Sequence, residues 1–89
     1  MVLGKVVGTV WATRKDEELV GMTLQIVRHL DLQYRLKETF VVAVDTVQAG
    51  VGDIVLVCSG SSARQTAQTK NKPVDAVIMA VVDKLDVTD

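Results

Sequence analysis

A polar island of small residues, Ser59-Gly60-Ser61-Ser62-Ala63-Arg64-Gln65-Thr66-Ala67, lies between two strongly apolar runs and dictates how this chain is punctuated. Before it, Val55-Leu56-Val57-Cys58 reads as a buried strand. Gly60 supplies a turn, and Ser61 or Ser62 is placed to cap a helix, its hydroxyl accepting from a backbone N–H that has no partner in the first turn. Ala63 to Gln68 favours helix, but Thr69-Lys70-Asn71-Lys72-Pro73 stops it within about two turns, because proline lacks the donor and restrains the residue before it. One short α-helix set between strands is the plan of a small barrel.

Five apolar runs qualify as strands. Val2 to Thr13 places Val2, Gly4, Val6, Gly8, Val10 and Ala12 on one face and Leu3, Lys5, Val7, Thr9, Trp11 and Thr13 on the other, the period of two expected of a pleated strand. Gly4 and Gly8 would let another backbone come close. Met22 to Leu30, Thr39 to Asp45, Asp53 to Ser59 and Asp75 to Leu85 follow, separated by the charged loop Arg14 to Glu18, the polar connection Asp31 to Glu38, the glycine turn Gln48 to Gly52 and the short helix. The pattern predicts a mostly β protein, a five-stranded barrel of the OB-like kind with the helix between strands four and five, closed so that no edge is left to pair promiscuously.

The strands carry more apolar surface than one barrel interior can take. Phe40, Val42 and Val44 oppose Val41 and Ala43 on the third strand, and Ala76, Ile78, Ala80 and Val82 oppose Val77, Met79, Val81 and Leu85 on the fifth. Strands apolar on both faces need a second burial surface. Each further valine or methionine covered contributes on the order of 1.5–3 kcal/mol, so subunit contact is the expected cover, in an obligate homo-oligomer of cyclic symmetry.

Size and composition narrow the rest. Eighty-nine residues are read as one domain, 1–89, at a size where small folds often lean on disulfides, metals or association. The single cysteine, Cys58, excludes an internal disulfide and reads as a small buried hydrophobe in a reducing compartment. The single histidine, His29, has no metal-ligand spacing to it and no nucleophile near it in sequence, so it reads as a strand-end residue rather than a general base. No metal or cofactor is expected. Hydrophobic residues make up 48% of the chain and aromatics only 3%, so the apolar mass is aliphatic and suits pleated sheet.

Net charge is −1 with Lys and Arg scattered, against the basic stripe of a nucleic-acid binder. Gly4, Lys5, Gly8 and Thr9 break the N-terminal apolar stretch that a signal peptide needs, and no run nears the roughly 20 residues of a membrane span. A cytoplasmic protein with no membrane partner is expected.

Gly50-x-Gly52 is not a dinucleotide loop, because a strand rather than a helix follows it. Ser61, Ser62 and Arg64 read as a cap with a surface or interface arginine. Asp45, Asp75 and Asp83 flank apolar runs and are placed to accept from turn N–H groups, with Asp75 and Asp83 also suited to intersubunit ion pairs. The outward parity of Trp11 suggests an interface or a loop cover. No triad, carboxylate pair or metal set appears, so no enzyme is expected. The alternative is an OB-like barrel that binds single-stranded nucleic acid, for which Trp11, Tyr34 and Phe40 are the available aromatics, Phe40 reading as buried.

Ser59 to Arg64, with Ala49-Gly50-Val51-Gly52-Asp53-Ile54-Val55-Leu56-Val57 before it and Pro73-Val74-Asp75-Ala76 after it, resembles the ethanolamine-utilisation and carboxysome vertex-protein family of bacterial microcompartment shells. Gly4-Lys5-Val6-Val7-Gly8-Thr9-Val10-Trp11-Ala12-Thr13-Arg14-Lys15 and Leu19-Val20-Gly21-Met22-Thr23-Leu24 are similar to that family's opening, so the likeness runs colinearly over nearly the whole chain. It implies a pentamer that closes the vertices of an icosahedral shell whose faces are tiled by hexameric partners. It further implies that Gln48, Ala49, Gly50, Val51, Gly52 and Asp53 line a central opening near the symmetry axis. Gln48 stands where the family usually has glycine and Asp53 where it commonly has glutamate. Trp11, Ser61, Ser62, Arg64, Asp75, Met79 and Asp83 are the candidate subunit-interface residues.

Overall fold

The computed structural model describes residues 1–88. Five strands, β1 (Val2–Val10), β2 (Leu24–Leu30), β3 (Leu36–Asp45), β4 (Ile54–Ser59) and β5 (Ala76–Val81), close into a barrel in the order β1-β2-β3-β5-β4. Four of the five ladders are antiparallel; the closing one, β3 with β5, is parallel and joins only Val44 to Val77 and Asp45 to Ile78. That short junction is reinforced from the side by Thr46, whose hydroxyl donates to the Ile78 carbonyl at 2.7 Å.

Strand limits differ from the sequence pattern where the ladder, rather than propensity, decides them. β1 stops at Val10 because β2 offers no partner beyond Leu24, and β5 stops at Val81, after which Val82 makes one bond to the Ile54 carbonyl at 2.7 Å. β3 starts at Leu36, earlier than expected, because Leu30 still pairs with it across an irregularity in the β2–β3 ladder. In the connecting turn, Asp31 accepts from the backbone N–H groups of Gln33 at 2.8 Å and Arg35 at 2.9 Å. The Arg35 backbone donor, with the Arg35 guanidinium beside it, holds the Asp31 carboxyl below the usual carboxylate range.

The expected α-helix is a correction: Gly60–Arg64 is a 3₁₀ turn. Its N-cap is Ser59, without a side-chain bond, and Ser61 and Ser62 lie inside the turn. Threonine chemistry explains why no α-helix continues. The Thr66 hydroxyl accepts from the Thr69 N–H at 3.1 Å, the Thr69 hydroxyl accepts from the Thr66 N–H at 3.3 Å, and the Thr69 hydroxyl donates to the Ala63 carbonyl at 2.6 Å. Side-chain bonds of this kind replace the helical ladder over the residues that would have propagated it.

Adjacent residues on the strands separate into two apolar clusters. Val6, Val27, Ala43, Ala49, Val55, Val57, Ala76 and Ile78 fill the barrel. Val44 and Val77 point outward, yet they are buried with Ala63 and Val74 under Leu19, Met22, Leu24 and Cys58. Part of the second burial surface expected from subunit contact is therefore supplied by the chain itself, because the excursion between β4 and β5 folds back over the outer wall. Cys58 is half-buried on that wall rather than deep in the core. The outer wall is not covered everywhere. Phe40, expected to be buried, is 62% exposed, and Met79 is 37% exposed.

Gly4 carries out the close approach expected of it. A Cβ there would lie 2.9 Å from the Arg28 carbonyl oxygen and would collide with Val27, whereas a Cβ on Gly8 would meet only the Ile26 Cδ1 at 3.5 Å. Gly8 sits instead next to a register shift in the β1–β2 ladder that leaves Val7 without a partner.

Candidate functional site

The loop from Thr46 to Asp53 joins β3 to β4 and is organised by carboxylates. Asp45 Oδ1 accepts from the backbone N–H of Val47 at 3.0 Å and of Ala49 at 3.2 Å, as expected of an aspartate at the end of an apolar run. Asp53 Oδ2 accepts from the Gly50 N–H at 2.8 Å, and the Asp53 N–H returns to the Gly50 carbonyl at 3.0 Å, which closes Gly50 to Asp53 into a turn. The turn is then stitched to β1. Gly52 donates to the Val6 carbonyl at 2.8 Å and Val6 donates to the Asp53 carbonyl at 3.0 Å.

The six residues Gln48 to Asp53 thus belong to one hydrogen-bonded loop, with different exposures. Gln48, Gly50, Val51 and Gly52 face solvent, while Ala49 is turned into the barrel cluster. Asp53 Oδ2 is engaged inside the turn, and the backbone with the Gln48 and Val51 side chains forms the exposed surface of the loop. Gly52, at φ +97, has the left-handed backbone for which glycine is the unstrained choice. Gln48 has φ +59 without that freedom. Replacing Gln48 with glycine is expected to raise stability by about 0.5–1 kcal/mol, since a side chain in this region costs about 1–2 kcal/mol. A thermal melt should rise by roughly 3–6 °C; a fall would mean that the glutamine side chain holds the loop.

One residue outside the candidates read from the sequence is central to this loop. Gln25, only 5% exposed, lies on the inner face of β2 opposite Thr9 and Ala43. Its Nε2 donates to the Ala49 carbonyl at 3.0 Å and to Asp45 Oδ2 at 3.3 Å, and its Oε1 accepts from the Thr9 hydroxyl at 2.7 Å. The amide orientation is forced, because a carbonyl and a carboxylate can only accept. Its neighbours of the same parity, Thr23, Val27 and His29, are mostly polar, so the sequence carried no signal that Gln25 is buried.

The candidate interface residues fall in three places. Trp11, 89% exposed, follows the end of β1 beside Lys15, Met22 and Leu24. Ser61, Ser62 and Arg64 lie on the 3₁₀ turn, which Gly60 ties to the Asp75 carbonyl at 2.8 Å, so Asp75 joins that group. Arg64 Nη1 donates to the Val74 carbonyl at 3.1 Å, close to an ion pair of Lys72 with Glu18 at 2.8 Å. The Glu18 carboxylate, expected on a solvated loop, is therefore partly engaged with the β4–β5 excursion. Met79 and Asp83 form the third place, at and beyond the end of β5.

His29 is a strand-end residue as expected, its Nδ1 2.7 Å from the Thr39 hydroxyl. The exposed aromatics do not make one stacking platform. Trp11 adjoins the rung Val10–Leu24–Val44, whereas Phe40 sits on the rung with Arg28, four residues or about 13 Å along β3. Tyr34 lies farther out in the β2–β3 turn, where its hydroxyl accepts from the Leu85 N–H at 3.0 Å. No helix of the described residues is long and apolar enough to cross a membrane.

A closed five-stranded barrel with a stitched loop between β3 and β4 and uncovered apolar side chains on its wall defines the class, a small mostly β barrel. The model of the family described as "Ethanolamine utilisation protein EutN/carboxysome" matches residues 1–83, and the chain belongs to that family. It is 43% identical over 86 residues to the bacterial microcompartment shell vertex protein GrpN of Rhodospirillum rubrum, covering 97% of each chain. The solved structure of the GrpN pentameric microcompartment shell protein from that organism superposes with a TM-score of 0.90 at 42% identity, over 99% of this chain and all of the other. The structure of CcmL from Nostoc sp. PCC 7120 gives a TM-score of 0.94 at 39% identity, over 98% of this chain and 92% of that one.

Proposed function

We propose that five copies of this chain assemble around a fivefold axis and close the vertices of a bacterial microcompartment shell in the cytoplasm. The observation that carries this reading is the likeness to pentameric GrpN, which extends over 99% of the chain at 42% identity. The physics agrees. A flat hexagonal layer cannot close on itself, so a closed shell needs sites of fivefold symmetry, and a rigid barrel with apolar flanks makes a sound wedge for them. Hexameric shell proteins are then the partners at the rim of the vertex.

The role is structural rather than enzymatic, with no cofactor, metal, nucleic acid or membrane required, and residues 1–89 act as a single unit. Gln48 to Asp53 line the central opening, with the lip formed by backbone groups, Gln48 and Val51. Trp11, Ser61, Ser62, Arg64, Asp75, Met79 and Asp83 lie at or near subunit contacts. Burying side chains as exposed as Trp11 and Met79 supplies the driving force for association.

Native mass spectrometry of the purified protein at micromolar concentration tests this. The expected result is a species of five chains; a monomer as the sole species would overturn the reading.

A further inference from the structure

We propose that Gln25 is the positioning residue of the loop rim: from inside the barrel it sets where the Ala49–Gly52 lip stands, so the opening is a fixed aperture rather than a gate. The inference rests on reading this loop as the edge of a fivefold opening. Its basis is the geometry of one peptide. Ala49 is held at both ends, its N–H by Asp45 Oδ1 at 3.2 Å and its carbonyl by Gln25 Nε2 at 3.0 Å. Gln25 also holds the second oxygen of that same Asp45 carboxylate, at 3.3 Å. The two side chains therefore form a closed clamp, and Thr9 anchors the clamp to β1 by donating to the remaining amide oxygen at 2.7 Å.

The clamp fixes three strands relative to one loop. Thr9 and Gln25 are Cα partners across β1 and β2, and Asp45 ends β3. Buried polar groups with every partner in place resist displacement, because moving one leaves the others desolvated and unpaired. Among the described residues no buried side-chain polar atom is left without a partner, so displacing the clamp means breaking bonds that are already made. The lip beyond it adds its own closure through Gly50 and Asp53 and its seam to Val6. Substitutions at the tip, at Gln48 or Val51, then change the side chains at the opening without moving its backbone, while substitutions at Gln25 release the rim.

Amide hydrogen exchange on the full-length protein, read residue by residue, tests this separately from assembly. In Gln25→Met, which keeps the volume and removes the donors, protection at Val47 and Ala49 should fall about tenfold while Val27 and Val55 in the ladders stay as they were. Gln25→Glu should release the same two amides, and combining it with Asp45→Asn should restore part of their protection, since the donor and acceptor at 25 and 45 are then exchanged. A packing role alone would not give that recovery. Unchanged protection at Val47 and Ala49, or a loss spread evenly over the barrel, overturns the proposal. If Gln25→Met does not fold, Thr9→Val carries the same test, with a smaller loss at Val47 and Ala49 expected and no loss counting against it. The mass of the wild-type assembly reports independently on the pentamer, so a monomeric protein with a clamped loop would sink the vertex reading and leave the clamp standing.

Discussion

Replacing Ile78 with alanine is expected to remove about 4 kcal/mol of stability, within the range of about 2–5 kcal/mol measured for deleting a buried isoleucine down to Cβ. Ile78 is fully buried and is the largest of the fully buried side chains. Its neighbours in the barrel are valines and alanines, all on hydrogen-bonded strands except Ala49, whose N–H is bonded to Asp45, so none can swing into the space. Ile78 also stands at the closing junction, paired with Asp45 on β3 and with Val57 on β4, and its carbonyl takes the Thr46 hydroxyl. A chain of this size commonly has only about 4–13 kcal/mol in all, so the variant should melt roughly 20 °C lower or be unfolded at growth temperature. The melt is to be compared at one protein concentration, since association itself adds stability by mass action. A loss under about 1 kcal/mol would show that the barrel interior is not packed around this residue.

The second large effect comes from a single methyl group. Gly4→Ala places a Cβ 2.9 Å from the Arg28 carbonyl oxygen and into Val27. Neither obstacle can yield, one being backbone in the β1–β2 ladder and the other a fully buried side chain. The strands must part, at a cost of about 3 kcal/mol, the upper part of the usual range for overpacking. Gly8→Ala is the control that makes the comparison decisive. There the added carbon has ordinary contact at 3.5 Å, and relief of the entropic penalty of glycine in a strand should stabilise by about 0.5 kcal/mol. Denaturant midpoints that shift in opposite directions for the two glycines are the expected outcome. Shifts of the same sign would show that closeness of backbone is not what sets Gly4 apart.

The existence and order of the five strands were legible because each rests on a local period of two and on turn residues a few positions apart. Two-sided apolarity of the third and fifth strands was also legible, in Val44 beside Ala43 and Val77 beside Ile78. What covers the outer side was not. Val44 and Val77 are shielded by Ala63 and Val74 of their own chain, whereas Phe40, on the same strand as Val44, is left bare. Nothing within a few residues of Phe40 distinguishes it from Val44; only the path of the β4–β5 excursion does. The loop candidates Gln48 to Asp53 came from family likeness and do form one structural unit, but the commitment of the Asp53 carboxylate to Gly50 needed coordinates.

Sequence by itself determined the strands, the two apolar faces, the turn aspartate at 45 and the family, because these depend on near neighbours or on colinear likeness along the chain. Tertiary structure decided which outer side chains the chain covers for itself, why the helix shrinks to a 3₁₀ turn braced by Thr66 and Thr69, and that Gln25 grips Ala49. The physical reason is strand pairing and barrel closure. Antiparallel pairing brings residue 9 against 25 and 25 against 45 and 49, closure brings 46 against 78, and the free energy of a buried polar group depends on such distant partners rather than on the residues beside it.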